Sequence, residues 1–125
     1  MAQRISYDKE ANMGYINVVK NIKNGMIDMT DELDVNPFIS LDLNNDERIV
    51  GLELAGNEAK NLESIINNEI MYTKNGNSYS LRINNKEAVI KYSYLGIDFY
   101  FAKTNYTELI GFDINDISIY KEGTL

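Results

Sequence analysis

Hydrophobic and polar residues alternate in two consecutive runs, one on each side of the polar segment 44–47. The hydrophobic positions on one face of each run are Ile39, Leu41, Leu43, Val50, Leu52 and Leu54. A period of two is typical of a β-strand with one buried face, and a short polar segment between two such runs is typical of a hairpin turn. The pattern therefore predicts an antiparallel hairpin over residues 37–54, with Pro37 at its edge.

The spacing of hydrophobic residues changes to three or four after Gly56. One stripe at this spacing consists of Ala59, Leu62, Ile66 and Ile70. This spacing predicts an amphipathic helix over about residues 57–70, packed on a sheet. Asn57 is expected to cap the helix, and Glu58 falls in the first turn, where the helix dipole favours a negative charge.

Strand patterns also occur before and after this region. The predicted strands are residues 5–8, 13–19, 70–74, 78–84, 88–94, 97–103, 108–114 and 117–121. Asn75-Gly76 and Leu95-Gly96 are expected to form tight hairpin turns, and the polar segment 21–36 is interpreted as a loop or a loosely held strand. Strands on both sides of one main helix predict an α+β fold, a strand-rich antiparallel sheet of hairpins, in a single domain over residues 1–125.

Two hexapeptides sixty residues apart match each other in residue type at every position. They are residues 49–54 and residues 109–114. The match predicts two related half-domains, 1–62 and 71–125. The alternative is that strand-forming patterns recur by chance.

Composition and charge restrict the functions to be considered. The net charge of −7 opposes direct binding to nucleic acids or to anionic membranes and favours a basic protein partner, although it would also serve solubility alone. The chain contains no cysteine and no histidine, which excludes disulfides, thiolate chemistry and Cys- or His-ligated metals. No segment has the hydrophobic length of a signal peptide or a membrane span, so we expect a cytoplasmic protein.

Residues 42–53 match most of the EF-hand pattern, with oxygen-bearing side chains at positions 1, 3, 5 and 12. Position 6 is Glu47 instead of glycine, and the flanking residues alternate as strands, so we expect no calcium site, no other metal and no cofactor. Asp42 and Glu53 are also a candidate acid–base pair on the solvent face of the hairpin. Because no nucleophile pattern and no phosphate-binding glycine loop accompany them, we expect no enzymatic activity.

The densest run of acidic residues is the first choice for a partner-binding surface. It consists of Asp28, Asp31, Glu32 and Asp34. Tyr100, in the aromatic segment 92–101, is a weaker choice for an apolar anchor, because tyrosine is favoured in binding hot spots. The alternative interpretation of the acidic run is a solvated loop.

The first half of the chain resembles the domain of unknown function 2283 family over about residues 4–62. The similarity rests on an ordered set of short motifs, which are Tyr7-Asp8, Tyr15-Ile16, Ile39-Ser40-Leu41-Asp42-Leu43 and Ile49-Val50-Gly51-Leu52-Glu53-Leu54. The resemblance implies a small strand-rich α+β unit and no established activity. Some family members lie beside small toxin-like genes.

Two hypotheses about function follow. The first is a small acidic non-enzymatic protein-binding domain, most specifically an immunity or antitoxin protein that neutralises a basic toxin. The second is a module that binds an ion or a ligand, or that associates with itself as a homodimer, with no toxin partner.

Overall fold

The computed structural model describes residues 4–67 and 71–125, which form two five-stranded antiparallel sheets and one short helix. The strands of the first sheet are β1 (Ile5–Asp8), β2 (Met13–Asn17), β3 (Met29–Leu33), β4 (Asn36–Leu43) and β5 (Ile49–Ala55). Helix α1 (Gly56–Lys60) follows and continues as a 3-10 turn over Asn61–Ile65. The strands of the second sheet are β6 (Thr73–Asn75), β7 (Ser78–Arg82), β8 (Ile90–Tyr94), β9 (Ile97–Phe101) and β10 (Leu109–Ile114). A 3-10 turn follows at Glu122–Thr124. The predicted α+β class is confirmed.

The two sheets have the same topology. Their strand orders are β1-β2-β5-β4-β3 and β6-β7-β10-β9-β8, so each strand of the first sheet has a counterpart five strands later. The similar hexapeptides form the central strands β5 and β10. Common ancestry of the two halves stays a prediction, and the shared topology is what a duplication would produce.

Both central strands also carry an irregularity in the same place. Asp42 pairs with Gly51 and Leu43 pairs with Ile49, so Val50 has no partner on β4. In β10 the register shift falls between Leu109 and Gly111. An extra residue reverses the inward and outward alternation. Ile49 therefore joins the hydrophobic core with Leu52 and Leu54, and the prediction that Val50 shares their face is wrong.

One hydrophobic core takes residues from both sheets. The side chains that are fully buried there include Ile16, Ile39, Leu41, Leu52, Leu54, Leu62, Ile97, Phe99, Phe101, Leu109 and Phe112. Burial of these side chains on the inner faces supplies the main driving force for folding. Two tyrosine hydroxyls form hydrogen bonds between the halves: Tyr72 donates to the Val18 carbonyl at 2.6 Å, and Tyr120 accepts from the Ile49 amide at 3.0 Å. The Tyr120 hydroxyl also donates to the Leu95 carbonyl of its own half at 2.8 Å.

The helix is shorter than its hydrophobic stripe predicts. Ala59 and Leu62 are buried as expected, but α-helical geometry ends at Lys60, and residues 68–70 of the predicted helix lie outside the described residues. Asn57 is not the cap, because the helix begins at Gly56 and has no side-chain cap. A short helix gains most of its stability from packing, so the contacts of its buried face determine its length more than its periodicity does.

One further prediction from the pattern is made more specific, and one is wrong. Within the segment 21–36, which the pattern interprets as a loop or a loosely held strand, β3 is an edge strand whose register on β4 shifts between Glu32 and Leu33. Residues 117–121 form turns instead of a strand, because the Asp116 carboxylate accepts the amide hydrogens of Ser118 and Ile119. This turn carries the buried Tyr120 into the core.

No helix in residues 4–67 and 71–125 is both long enough and apolar enough to cross a bilayer.

Candidate protein-binding edge

The acidic run lies along an edge of the first sheet. Strand β3 pairs only with β4 among the described strands, so its other side presents backbone groups without a strand partner. Of the four predicted acids, Asp28, Glu32 and Asp34 are exposed and Asp31 is half-buried. The structure therefore places the carboxylates of this run beside an open sheet edge.

Asp31 occupies the inner face of the edge strand. It is paired with Leu41, whose side chain is fully buried in the core, so Asp31 shares the side of the sheet that faces the second sheet. An inward-pointing charge on an edge strand prevents another strand from adding to that edge. Protection of the edge is thus a structural role that Asp31 performs without any partner.

A cleft of about 170 Å³ separates this edge from β8 of the second sheet, and it is lined by Asp31, Glu32, Leu33, Asp34, Tyr92 and Tyr94. The rings of Tyr92 and Tyr94 are stacked, with centroids 6.4 Å apart and an angle of 25° between their planes. The Tyr92 hydroxyl donates to the Asp34 carboxylate at 3.4 Å. Partial burial, and then the nearby Asp34 carboxylate, raise the pKa of Tyr92.

The sequence pattern does not predict that these two tyrosines lie beside the acidic run. Their period-two spacing places Tyr92 and Tyr94 on one face of β8, but no local signal reveals that β8 lies across from β3. That proximity depends on the order of strands in two separate sheets.

Tyr100 does not lie in this cleft. It is half-buried on the outer face of the second sheet, where the guanidinium of Arg82 lies 4.8 Å from its ring centroid. Arg82 also forms an ion pair of 2.8 Å with Asp113. Partial burial, and then a hydrogen bond with Asp113, raise the pKa of Tyr100. The acids and the predicted anchor are therefore not brought together, and a partner-binding role for Tyr100 stays a prediction.

The candidate calcium loop is a β-hairpin. Asp42 is 7% exposed, and its two carboxylate oxygens accept hydrogen bonds of 2.6 Å from the hydroxyls of Tyr15 and Thr30. Asn44 is occupied as well, because its side-chain oxygen accepts the amide hydrogens of Asp46 and Arg48 at 3.0 Å. Within residues 4–67 and 71–125, no group of three or more acidic side chains is arranged to hold a metal ion.

The predicted pairing of Asp42 with Glu53 on a solvent face is corrected by the register. Asp42 is paired with Gly51, whereas Glu53 is paired with Ser40, so the two acids are diagonal to each other. The Tyr15 side chain crosses over Gly51 to reach Asp42 and covers it. Burial, and then the hydrogen bond to Asp42, raise the pKa of Tyr15.

Comparison with known proteins agrees with the resemblance noted in the sequence. The model of the family described as protein of unknown function (DUF2283) matches residues 4–56, which include all five strands of the first sheet. The uncharacterized protein YuzE of Bacillus subtilis (strain 168) is 30% identical over 112 residues, which cover 89% of this chain and 86% of YuzE. This chain belongs to the DUF2283 family.

The similarity to YuzE extends beyond the part that the DUF2283 model matches, because 112 aligned residues exceed the length of the first sheet and its helix. No solved structure shows a significant match to the chain. Membership in the DUF2283 family brings no established activity.

Proposed function

We propose that this DUF2283 protein is a small acidic non-enzymatic domain that binds a basic protein, most specifically a toxin that it neutralises as an immunity or antitoxin protein. The observation that carries the proposal is the open edge of β3, where acidic side chains adjoin the stacked rings of Tyr92 and Tyr94. Carboxylates attract a cationic partner, and tyrosine rings supply contact area at little cost in side-chain entropy.

The overall charge supports the same partner chemistry. A net charge of −7 raises the local concentration of cationic proteins around the domain. Complementary fields accelerate association and are screened by salt, with a Debye length of about 8 Å at physiological ionic strength. Binding by this edge should therefore be fast at low salt and slower as salt is added.

The absence of enzymatic activity is part of the proposal. Asp42 and Glu58, the two most buried carboxylates among residues 4–67 and 71–125, use their oxygens for hydrogen bonds within the protein. A general acid or base has to reach the proton that it transfers on a substrate. Carboxylates that hold neighbouring strands and backbone amides in place are better suited to stabilising the fold.

The first test is a measurement of association rates. The basic product of a small neighbouring reading frame is the partner to test, and the variant combines Asp28→Asn, Asp31→Asn, Glu32→Gln and Asp34→Asn. We expect the association rate at low salt to fall by about tenfold or more and its salt dependence to flatten, because the charges that steer the encounter are gone. Stopped-flow fluorescence at several salt concentrations measures both effects.

A matched control removes four charges from other exposed positions. It combines Glu10→Gln, Glu47→Gln, Glu63→Gln and Glu87→Gln, all of which are exposed. If both quadruple variants slow association equally, only net charge matters and the β3 edge is not the binding surface. If pull-downs recover only further copies of this chain, the self-associating alternative is the better explanation.

A further inference from the structure

A large cleft lies where α1, the start of β4 and the connection between β9 and β10 meet. Its volume is about 560 Å³, and the lining residues that matter here are Phe38, Asn57, Lys60, Lys103 and Glu108. Small-molecule sites commonly enclose about 300–1,000 Å³. The cleft is therefore large enough for a small ligand, and it takes side chains from both halves of the molecule.

One wall of the cleft is held in an unusual backbone conformation. Tyr106 and Glu108, in the connection between β9 and β10, have φ values of 61° and 59°. Side chains other than glycine, asparagine and aspartate seldom adopt this left-handed region. Residues held in such conformations cluster at ligand-binding and active sites, where the surrounding structure enforces them.

Two buried side chains from the first half enforce this conformation. The Glu58 carboxylate is 5% exposed and accepts the amide hydrogens of Glu108 at 3.0 Å and Leu109 at 2.8 Å. The Asn36 amide donates to the Tyr106 carbonyl at 2.9 Å and to Glu58 at 3.0 Å. The shape of this wall is thus fixed by hydrogen bonds across the junction of the two halves.

The lining also combines cations with an exposed aromatic ring. Lys103 and Lys86 both lie 3.5 Å from the Glu108 carboxylate, so two lysines share one acid. Lys60 is exposed and forms no ion pair with any described residue, and the Asn57 side chain likewise forms no hydrogen bond there. Phe38, which is 56% exposed, provides an apolar surface at the same opening. The formal charges of the lining balance, with Lys60 and Lys103 against Glu58 and Glu108. Both carboxylates are engaged within the protein, Glu58 with backbone amides and Glu108 with lysines, so Lys60 is the lining cation that is available to a ligand.

We propose that this cleft binds a small organic anion, with a phosphate or carboxylate group near Lys60 and Lys103 and a flat apolar group against Phe38. Cationic donors recognise such headgroups, and an aromatic ring favours a planar apolar partner. The proposal rests on side chains other than those of the protein-binding edge, because the two clefts share no lining residue. The segments behind them touch through the rings of Tyr106 and Tyr92, whose centroids lie 6.2 Å apart.

The test is a titration of the full chain followed by ¹⁵N–¹H correlation spectra. Four probes separate the parts of the ligand: phenyl phosphate and benzoate carry both a ring and an anionic group, inorganic phosphate lacks the ring, and benzyl alcohol lacks the charge. We expect phenyl phosphate or benzoate to shift the amide signals of residues 56–61 and 103–108. Inorganic phosphate and benzyl alcohol should bind at least tenfold more weakly than that probe.

Two exposed substitutions locate the contacts. Lys60→Gln should weaken binding of the ring-bearing anion at least fivefold, whereas Lys23→Gln, at an exposed lysine outside the cleft, should leave it unchanged. Phe38→Ala should weaken the ring-bearing anion and leave inorganic phosphate unaffected. The same spectra report whether each variant is folded.

The preferred headgroup follows from which ring-bearing probe binds more tightly. The proposal is overturned if neither shifts the cleft signals, if the shifts lie elsewhere, or if Lys60→Gln and Lys23→Gln behave alike.

Discussion

Two glycines allow long side chains to cross the outer faces of the sheets. A Cβ atom at Gly51 would lie 1.8 Å from the Tyr15 hydroxyl oxygen, and one at Gly111 would lie 2.1 Å from the Leu81 carbonyl oxygen. Tyr15 passes over the first glycine to reach Asp42, and Arg82 extends from the strand beside the second toward Tyr100. Gly51 and Gly111 occupy matching positions in sequence and topology. The atom nearest to an added Cβ belongs to a side chain at Gly51 and to the backbone at Gly111.

This difference predicts that truncating the neighbouring long side chain restores stability to the Gly51 variant and not to the Gly111 variant. Gly51→Ala should lower the free energy of unfolding by about 1–3 kcal/mol, as overpacking does, and most of this loss should disappear when Tyr15 is already Ser. Gly111→Ala should be destabilising whether or not Arg82 is truncated to Ala, because the clash is with a carbonyl oxygen of the main chain. Urea unfolding of the single and double variants gives both interaction energies. Equal losses for Gly51→Ala with and without Tyr15 would contradict the prediction.

Glu58 illustrates a residue whose role the sequence hides. Its position in the first helical turn predicted an interaction with the helix dipole, but the structure buries it against the backbone of residues 108 and 109. The sequence could not reveal this contact, because the partners lie fifty residues away and are main-chain amides.

Replacing Glu58 by Gln tests the role of its charge. A neutral amide has one acceptor oxygen in place of two and brings a donor toward backbone donors, so we expect a loss of about 2 kcal/mol in the free energy of unfolding. Glu63→Gln, on the exposed 3-10 turn, should change it by less than about 0.5 kcal/mol. Urea unfolding measures both, and hydrogen exchange at the Leu109 amide should accelerate only in the Glu58 variant. Equal effects of the two variants would refute this role.

At the scale of elements, the edge strand β3 combines two uses of negative charge. Glu32 is exposed and is paired with Ser40 on the outer face, whereas Asp31 lies on the inner face. Composition cannot separate these roles, because both are acids in one short run. Only the register of β3 on β4 assigns each to a face.

The inward position of Asp31 predicts that replacing this residue increases self-association of the protein. Asp31→Val should promote association between copies, because the charge that opposes strand addition is lost and the edge gains a β-branched residue. Glu32→Val removes an equal charge from the outer face and should remain closer to the wild type. Light scattering during size-exclusion chromatography distinguishes the two. Greater association of the Glu32 variant would show that the inward charge is not the protecting feature.

At the scale of the whole molecule, buried tyrosine hydroxyls connect the halves. Burial raises the pKa of Tyr120 to about 12, and burial likewise raises the pKa of Tyr72. Each neutral hydroxyl donates a hydrogen bond to a carbonyl, and neither bond survives ionisation. Their contribution to stability is complete below the ordinary tyrosine pKa of 10.0. The contribution of Tyr120 is lost as the pH rises from 10 through 12, and that of Tyr72 falls over the same range.

The prediction is a decrease in the free energy of unfolding above pH 10. Tyr120→Phe should be less stable than the wild type at neutral pH and should show a shallower decrease between pH 10 and 12, because one of the raised pKa values is gone. Urea unfolding at a series of pH values measures both slopes. Between pH 7 and 9 the two stability curves should run parallel, which serves as the internal control. Parallel curves above pH 10 as well would contradict the assignment.

The sequence by itself determined the features that depend on neighbouring residues. Period-two alternation located most strands, glycines marked the turns at Asn75-Gly76 and Leu95-Gly96, and ordered motifs in the first half identified the DUF2283 family. Alternation reflects which face of one strand is buried, and this information is present within a few residues. The α+β class followed from the order of these patterns.

Only the tertiary structure decided which distant residues meet. Strand order and the packing of the two sheets decide three features of this protein. They are the bulge that turns Ile49 inward, the stacked tyrosines beside Asp34 and the backbone amides that Glu58 binds. Charge and hydrophobicity along the chain are the same for many arrangements of strands. A site built from residues 50 or more positions apart therefore becomes visible only when the register and the shared core fix one of those arrangements.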